Sequence, residues 1–179
     1  MGHAKDGAAF QPLNIAVLTV SDTRTAANDK SGDVLVARLT EAGHQLADRT
    51  IVRDDIDDIA AQFQSWSDEP AVDVVISTGG TGVTGRDVTP EALAKVMEKH
   101  IAGFGEMFRW LSYQKIGTST VQSRADAGVA GSTYIFILPG SPGACLDGWD
   151  GILKDQLDIR HRPCNFAEML PRLTETDAA

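Results

Sequence analysis

The 179 residues provide one domain with a sizeable core and leave too little chain for two. Hydrophobic residues make up 42% and charged residues 23%, a globular composition that excludes a disordered chain. A formal net charge of -9 argues against non-specific nucleic-acid binding, which needs a basic surface, but leaves small anionic ligands open because backbone amides bind phosphate whatever the overall charge.

No stretch approaches the roughly 20 apolar residues of a membrane span, and the opening MGHAKDGAAFQP has no signal-peptide core. Cys145 and Cys164 form neither a disulfide framework nor a zinc motif. A cytoplasmic protein without a membrane partner, its thiols buried or inert, is expected.

After a flexible segment over 1–12, NIAVLTV (14–20) reads as a buried strand ending in the polar turn SDTRTAANDKSG. DVLVARLTEAGH places Val34, Leu35, Leu39 and Ala42 at helical spacing, with Gly43 as the stop. QLADRTIV is a second strand. DDIDDIAAQFQSWS sets Ile56, Ile59, Ala60, Phe63 and Trp66 on one helical face behind an acidic start. AVDVVIS (71–77) is the third strand.

Thr89, Pro90 and Glu91 form a helix start: a hydroxyl N-cap, proline at the first position and an acid in the first turn. That helix is expected to run through EALAKVMEKH, and GFGEMFRWLSYQK to form a second one separated from it at Gly103. DAGVAGSTYIFILPG carries two β runs around Gly131-Ser132, a hairpin signal. SPGACLDGWDGILKDQL reads as a helix capped by Ser141 with Pro142 first. The alternation predicts a three-layer α-β-α domain over 13–170, with a mostly parallel sheet, an edge hairpin and a frayed tail over 171–179.

TGGTGVTGRDVTP (78–90) joins a strand to a capped helix through four glycines. Glycine removes the Cβ atoms that block close approach of a phosphate to backbone N–H groups. The spacing fits neither GxGxxG nor GxxxxGK[ST], and glycine alone fits a flexible connection equally well. Two further loops, VSDTR and LPGSPGA, leave the first and last strands. In an open α/β sheet, loops at the carboxyl ends of parallel strands share one crevice. Ser21 and Asp22, Thr78 to Gly82, and Pro139 to Pro142 are therefore candidates for one pocket, with Asp54 and Asp87 on its rim. Two carboxylates beside a phosphate cradle suit a Mg²⁺ ion bridging to it, since like charges would repel the phosphate directly. The competing reading of each is a surface aspartate that caps a helix.

TGGTGVTGRDVTPEAL, VSDTR, AGFGEMFRWLSYQKIGTSTVQSRA and LPGSPGA, in that order over Ile15 to Phe166, resemble the molybdenum cofactor biosynthesis protein B and molybdopterin adenylyltransferase family, with the GFGEMFR…GTSTVQSRA middle closest to the B-type branch. The resemblance implies a molybdopterin-binding α/β fold assembled as trimers or hexamers. It also implies transfer of AMP from Mg-ATP to the terminal phosphate of molybdopterin, ahead of metal insertion by a partner.

The family's two essential aspartates fall on Asp87 and Asp54, which would hold Mg²⁺. Its glycine loop falls on Thr78, Gly79, Gly80, Thr81 and Gly82, and its Ser-Asp turn on Ser21 and Asp22. Arg53 stands where the family usually has proline, which loosens the turn before Asp54. The RDVTP motif that some B-type members lose is whole here, favouring an active enzyme. Arg24, Arg86, Arg109 and Arg124 are candidates for phosphate oxygens, with Arg86 the strongest and a solvated surface the competing reading. Glu106 is a further pocket candidate; Phe104, Phe108, Trp110 and Leu111 suit core or a subunit seam. The rival reading is a non-catalytic molybdopterin carrier with the same loops; a plain nucleotide-binding domain is a third.

Overall fold

The computed structural model describes residues 8–175. It has six strands: β1 (Asn14–Val20), β2 (Gln45–Val52), β3 (Val74–Thr78), β4 (Lys99–His100), β5 (Asp126–Ala130) and β6 (Thr133–Leu138). They form one sheet in the order β2-β1-β3-β6-β5-β4. The first four pair in parallel, and β5 lies antiparallel to both β6 and β4. The expected three-layer fold with an edge hairpin is the observed one.

The helices are α1 (Lys30–Glu41), α2 (Ile56–Ser67), α3 (Thr89–Val96), α4 (Ala102–Ile116) and α5 (Pro142–Gly148). α5 continues through a π turn at Trp149–Leu153 into the short α6 (Lys154–Gln156), and α7 is Phe166–Met169. Both sheet faces are covered, which is why the central strands read as unbroken apolar runs. Ile15, Val17, Val74, Ile76 and Phe136 pack beneath Leu35, Leu39, Phe108 and Trp149 on one face. Ala16, Leu18, Val75, Ile135 and Ile137 meet Ile59, Phe63, Trp66 and Leu93 on the other.

Three local expectations are corrected. The helix begun at Thr89 stops at Val96, because Glu98 N–H finds the Val129 carbonyl at 2.7 Å and Ile101 N–H that of Ala127 at 2.8 Å. These bonds turn Lys99–His100 into an edge strand. Gly103 is no break; it lies in the first turn of α4. Thr89 caps nothing, as the N-cap position falls on Val88 without a side-chain bond. Ser141 does cap α5, accepting from Ala144 N–H at 3.2 Å.

At the ends, residues 1–7 and 176–179 lie outside the described part, and with them most of the flexible start and the last residues of the tail. Phe10 packs on His44 with ring centroids 5.2 Å apart, Leu170–Arg172 form a 3-10 turn, and Leu173 rests on the core. Cys145 is buried and Cys164 exposed, and neither forms a disulfide. Among the described residues no helix is long and apolar enough to cross a membrane.

Candidate active site

The strands β1, β3 and β6 are sheet neighbours and point the same way, so the chain leaves all three at one end. Their loops enclose a cleft of about 510 Å³. Ser31 Oγ donates to the Gly140 carbonyl at 2.9 Å, and Thr78 Oγ1 to that of Pro139 at 2.9 Å. Gly79 N–H bonds the Leu138 carbonyl at 3.0 Å. These crosslinks bind the three loops into one wall.

Two glycines are required by the close approach. Gly79 has φ +105°, and a Cβ there would stand 2.2 Å from the Val20 carbonyl oxygen. Gly80 has φ +64°, and its Cβ would lie 2.4 Å from Thr89 Oγ1 and 3.3 Å from Asp54 Oδ1. Both positions combine a left-handed backbone with no room for a side chain. The loop is therefore a shaped surface rather than a slack connection. Among the described residues, the N–H groups of Gly80 and Thr81 have no protein acceptor. Loop donors left unpaired in this way suit an anion or water as partner.

Asp87 and Asp54 flank the loop from two sides. Asp87 Oδ2 accepts from Thr84 N–H at 2.9 Å and from Thr84 Oγ1 at 2.6 Å. Burial pushes its carboxyl up, but these bonds, the Gly82 N–H and the charge of Arg124 together hold it below the ordinary value. Asp54 is the opposite case. Burial raises its carboxyl, helped by the nearby charges of Asp22 and Asp87, and this outweighs the Asp22 N–H bond and the Arg86 charge. The reciprocal bonds Asp22 N–H to Asp54 Oδ2 (2.9 Å) and Asp54 N–H to Asp22 Oδ1 (3.3 Å) join the turns after β1 and β2.

Ser21, Thr78, Gly79, Gly80, Thr81, Gly82, Asp87, Pro139, Gly140 and Ser141 line the cleft together. Pro142 stands just outside as the first residue of α5. Asp22, Asp54 and Arg86 form a separate cluster on the rim. Arg86 does not reach into the cleft; it grips Asp22 Oδ2 through Nε at 3.0 Å and Nη2 at 2.6 Å. Glu106 is exposed and borders a different depression, with Pro90, His100 and Arg109.

Of the other arginine candidates, Arg24 lines the cleft, donating to the Asn28 carbonyl at 2.9 Å. Arg109 is spent on the Ala125 carbonyl at 3.0 Å, and Arg124 on the glycine loop.

Sequence reasoning missed the floor and the far wall. Asp29 sits 1% exposed at the cleft floor, accepting from Thr19 Oγ1 at 2.7 Å, Gly32 N–H at 3.0 Å and Arg49 Nη2 at 2.8 Å. Its signal was weak, since Asp33 rather than Asp29 stands directly before the apolar run that begins at Val34, and the helix starts a turn earlier than that run. The far wall, Phe108, Ser112, Ile116, Thr120 and Gln122, comes from α4 and the 3-10 turn Gly117–Gln122. No local pattern marks it, because it belongs to the site only through packing.

Residues 16–159 match the family described as "probable molybdopterin binding domain". The chain belongs to this family of molybdenum cofactor biosynthesis proteins. It is 50% identical over 157 residues to molybdenum cofactor biosynthesis protein B of Escherichia coli K12, covering 88% of this chain and 92% of that one. A crystal structure of a molybdenum cofactor biosynthesis protein B superposes with a TM-score of 0.81 at 41% identity, over 84% of this chain and 94% of the other. The tungsten cofactor synthesizing protein from Pyrococcus furiosus gives 0.75 at 32% identity, over 93% and 100%. The shared molybdopterin-binding fold thus carries the cleft described above.

Proposed function

We propose that this family member works in molybdenum cofactor biosynthesis as a molybdopterin adenylyltransferase. The terminal phosphate of molybdopterin would attack the α-phosphorus of ATP, forming a new P–O bond while the bond to the β-phosphate breaks and pyrophosphate leaves. Transfer of this kind depends on alignment and charge neutralisation more than on a protein nucleophile. The observation that carries the reading is the unpartnered N–H pair of Gly80 and Thr81 beside two carboxylates.

The donor chemistry fits Mg²⁺. That ion prefers one or two carboxylates and fills its remaining positions with water and substrate phosphate oxygens. Asp54 and Asp87 supply two carboxylates, and Asp54 Oδ1 has no hydrogen-bond donor among the described residues. No cluster of three or more such ligands exists among the described residues, so the nucleotide itself would complete the coordination. The ion, when bound, would draw charge off the departing pyrophosphate. The loop amides would fix the anion, and Phe108 and Ile116 would exclude water from one side of the cleft.

A homo-oligomer, trimer or hexamer, is part of the proposal. Met107, Trp110, Tyr113 and Ile116 leave a large apolar face of α4 exposed, Trp110 at 60%. A cytoplasmic setting and a molybdenum-inserting partner downstream follow from the same reading. Purified protein given molybdopterin and Mg-ATP should release pyrophosphate. Molybdopterin binding without pyrophosphate release would mark a carrier instead.

A further inference from the structure

The loop that lines the cleft is held from behind. Four consecutive carbonyls, Gly79 to Gly82, all accept hydrogen bonds from two residues outside the cleft. Thr89 serves the first pair: its hydroxyl donates to Gly79 O at 2.8 Å and its N–H to Gly80 O at 3.0 Å. Arg124 serves the second: its N–H donates to Thr81 O at 2.9 Å and its Nε to Gly82 O at 2.6 Å. The same guanidinium reaches the Asp87 carbonyl through Nη2 at 2.6 Å and pairs with Glu91 through Nη1. Arg124 borders a second depression, beside Val83, Gly85, Val88 and Glu91, which meets the cleft at Asp87, and does not itself line the cleft.

In a trans peptide the C=O and N–H of one unit point in opposite directions. The loop's peptides are trans. Drawing carbonyls 79, 80 and 81 to the rear therefore turns the N–H groups of 80, 81 and 82 to the front. The first two have no protein acceptor among the described residues, and the third faces the Asp87 carboxylate in the cleft. The planar Arg124 guanidinium, with donors in a fixed fork, sets the Gly82 and Asp87 carbonyls at once, which a lysine ammonium on a flexible stem does not.

We propose that Arg124 is the positioning residue of this site: a rear brace whose guanidinium fixes the Gly82 and Asp87 carbonyls and so holds Asp87 and the end of the loop toward one nucleoside polyphosphate without touching it, while Thr89 and the Arg124 backbone N–H turn the loop amides the same way. The identity of that anion rests on the adenylyl-transfer reading; the brace itself rests on the loop geometry.

The test titrates ATP with Mg²⁺ into wild type, Arg124→Lys and Thr89→Val by calorimetry, with thermal melts of each and pyrophosphate release measured alongside. Arg124→Lys should weaken ATP binding about tenfold to a hundredfold, the range for losing charge-assisted bonds, and lower kcat as Asp87 loses its frame. Thr89→Val, which removes the Gly79 contact alone, should weaken binding by a smaller factor. The amide resonance of Gly80 should shift with ATP in wild type and shift less in Thr89→Val, which frees the Gly79 carbonyl.

An Arg124→Lys protein that melts like wild type and binds ATP within twofold of it overturns the brace while leaving adenylyl transfer intact. Should Arg124→Lys fail to fold, Glu91→Gln loosens the guanidinium without touching the loop; unchanged ATP affinity in both Glu91→Gln and Thr89→Val then overturns it. Wild type that binds ATP yet releases no pyrophosphate defeats the adenylyl-transfer reading alone, and the binding arm still decides the brace.

Discussion

At the scale of single residues, Asp87 and Gly80 separate catalysis from architecture. Asp87→Asn keeps an acceptor for Thr84 N–H, at 2.9 Å in the wild type, but removes the charge a metal ion needs. Turnover should fall by about 10²–10³, the usual cost of one electrostatic catalytic contact. Stability should change by about 1 kcal/mol or less, and molybdopterin binding should persist. A variant adenylylating at the wild-type rate would reduce Asp87 to a loop staple. Gly80→Ala tests the loop differently. Its added Cβ meets Thr89 Oγ1 at 2.4 Å in a left-handed backbone, so stability should drop by about 1–3 kcal/mol together with ligand binding. The hydroxyl standing where the methyl must go makes the change cost folding as well as binding. Denaturant melts on the folded variant separate the two effects.

Elements meet the site through their ends, and Asp29 at the start of α1 shows how. It caps that helix, anchors β1 through Thr19 and holds Arg49 of β2, all from a buried position. Burial alone would raise its carboxyl; the Arg49, Gly32 and Thr19 bonds outweigh this and hold it below 3.8, the ordinary value. A depressed carboxyl stabilises above its unfolded pKa, and that stability is lost as pH falls through the lower folded value. Asp29→Asn should cost about 1–3 kcal/mol at neutral pH, since it leaves Arg49 with Asp33 as its remaining carboxylate. The gap to wild type should close in acid below the ordinary carboxylate range. Urea melts across pH check this, and a gap constant down to strong acid would contradict it.

For the whole molecule, the exposed apolar face of α4 sets the next expectation. Phe104 and Phe108 point into the core, while Met107, Trp110 and Tyr113 point out, so the one helix serves both the fold and a surface that water covers poorly. Ile116 belongs to that surface and to the cleft wall, so a subunit seam there would lie next to the site. Light scattering should find a trimer or hexamer at micromolar concentration, and Trp110→Glu should shift it toward monomer. A wild-type protein that stays monomeric there would refute the assembly.

The layers, and the loops that meet at the cleft, are legible in the residue pattern. Apolar runs of strand length alternating with helical periods leave few arrangements, and the carboxyl ends of parallel strands must share a crevice. Glycines at 79, 80 and 82, the Ser141–Pro142 cap and the hairpin at Gly131 announce themselves through local chemistry. Tertiary structure alone decided which partner each polar group took. Thr89 carries every mark of an N-cap, yet its hydroxyl turns to the Gly79 carbonyl, because the loop folds back over it. Arg86 looks ready for phosphate and is held by Asp22, while Arg124, a phosphate candidate of the same kind in the sequence, gathers three loop carbonyls instead. A helix that should have reached His100 ends early to complete the sheet edge. Period and propensity act over a few residues, whereas a donor bonds whichever acceptor the fold brings within about 3 Å, and that acceptor lies tens of residues away in the chain.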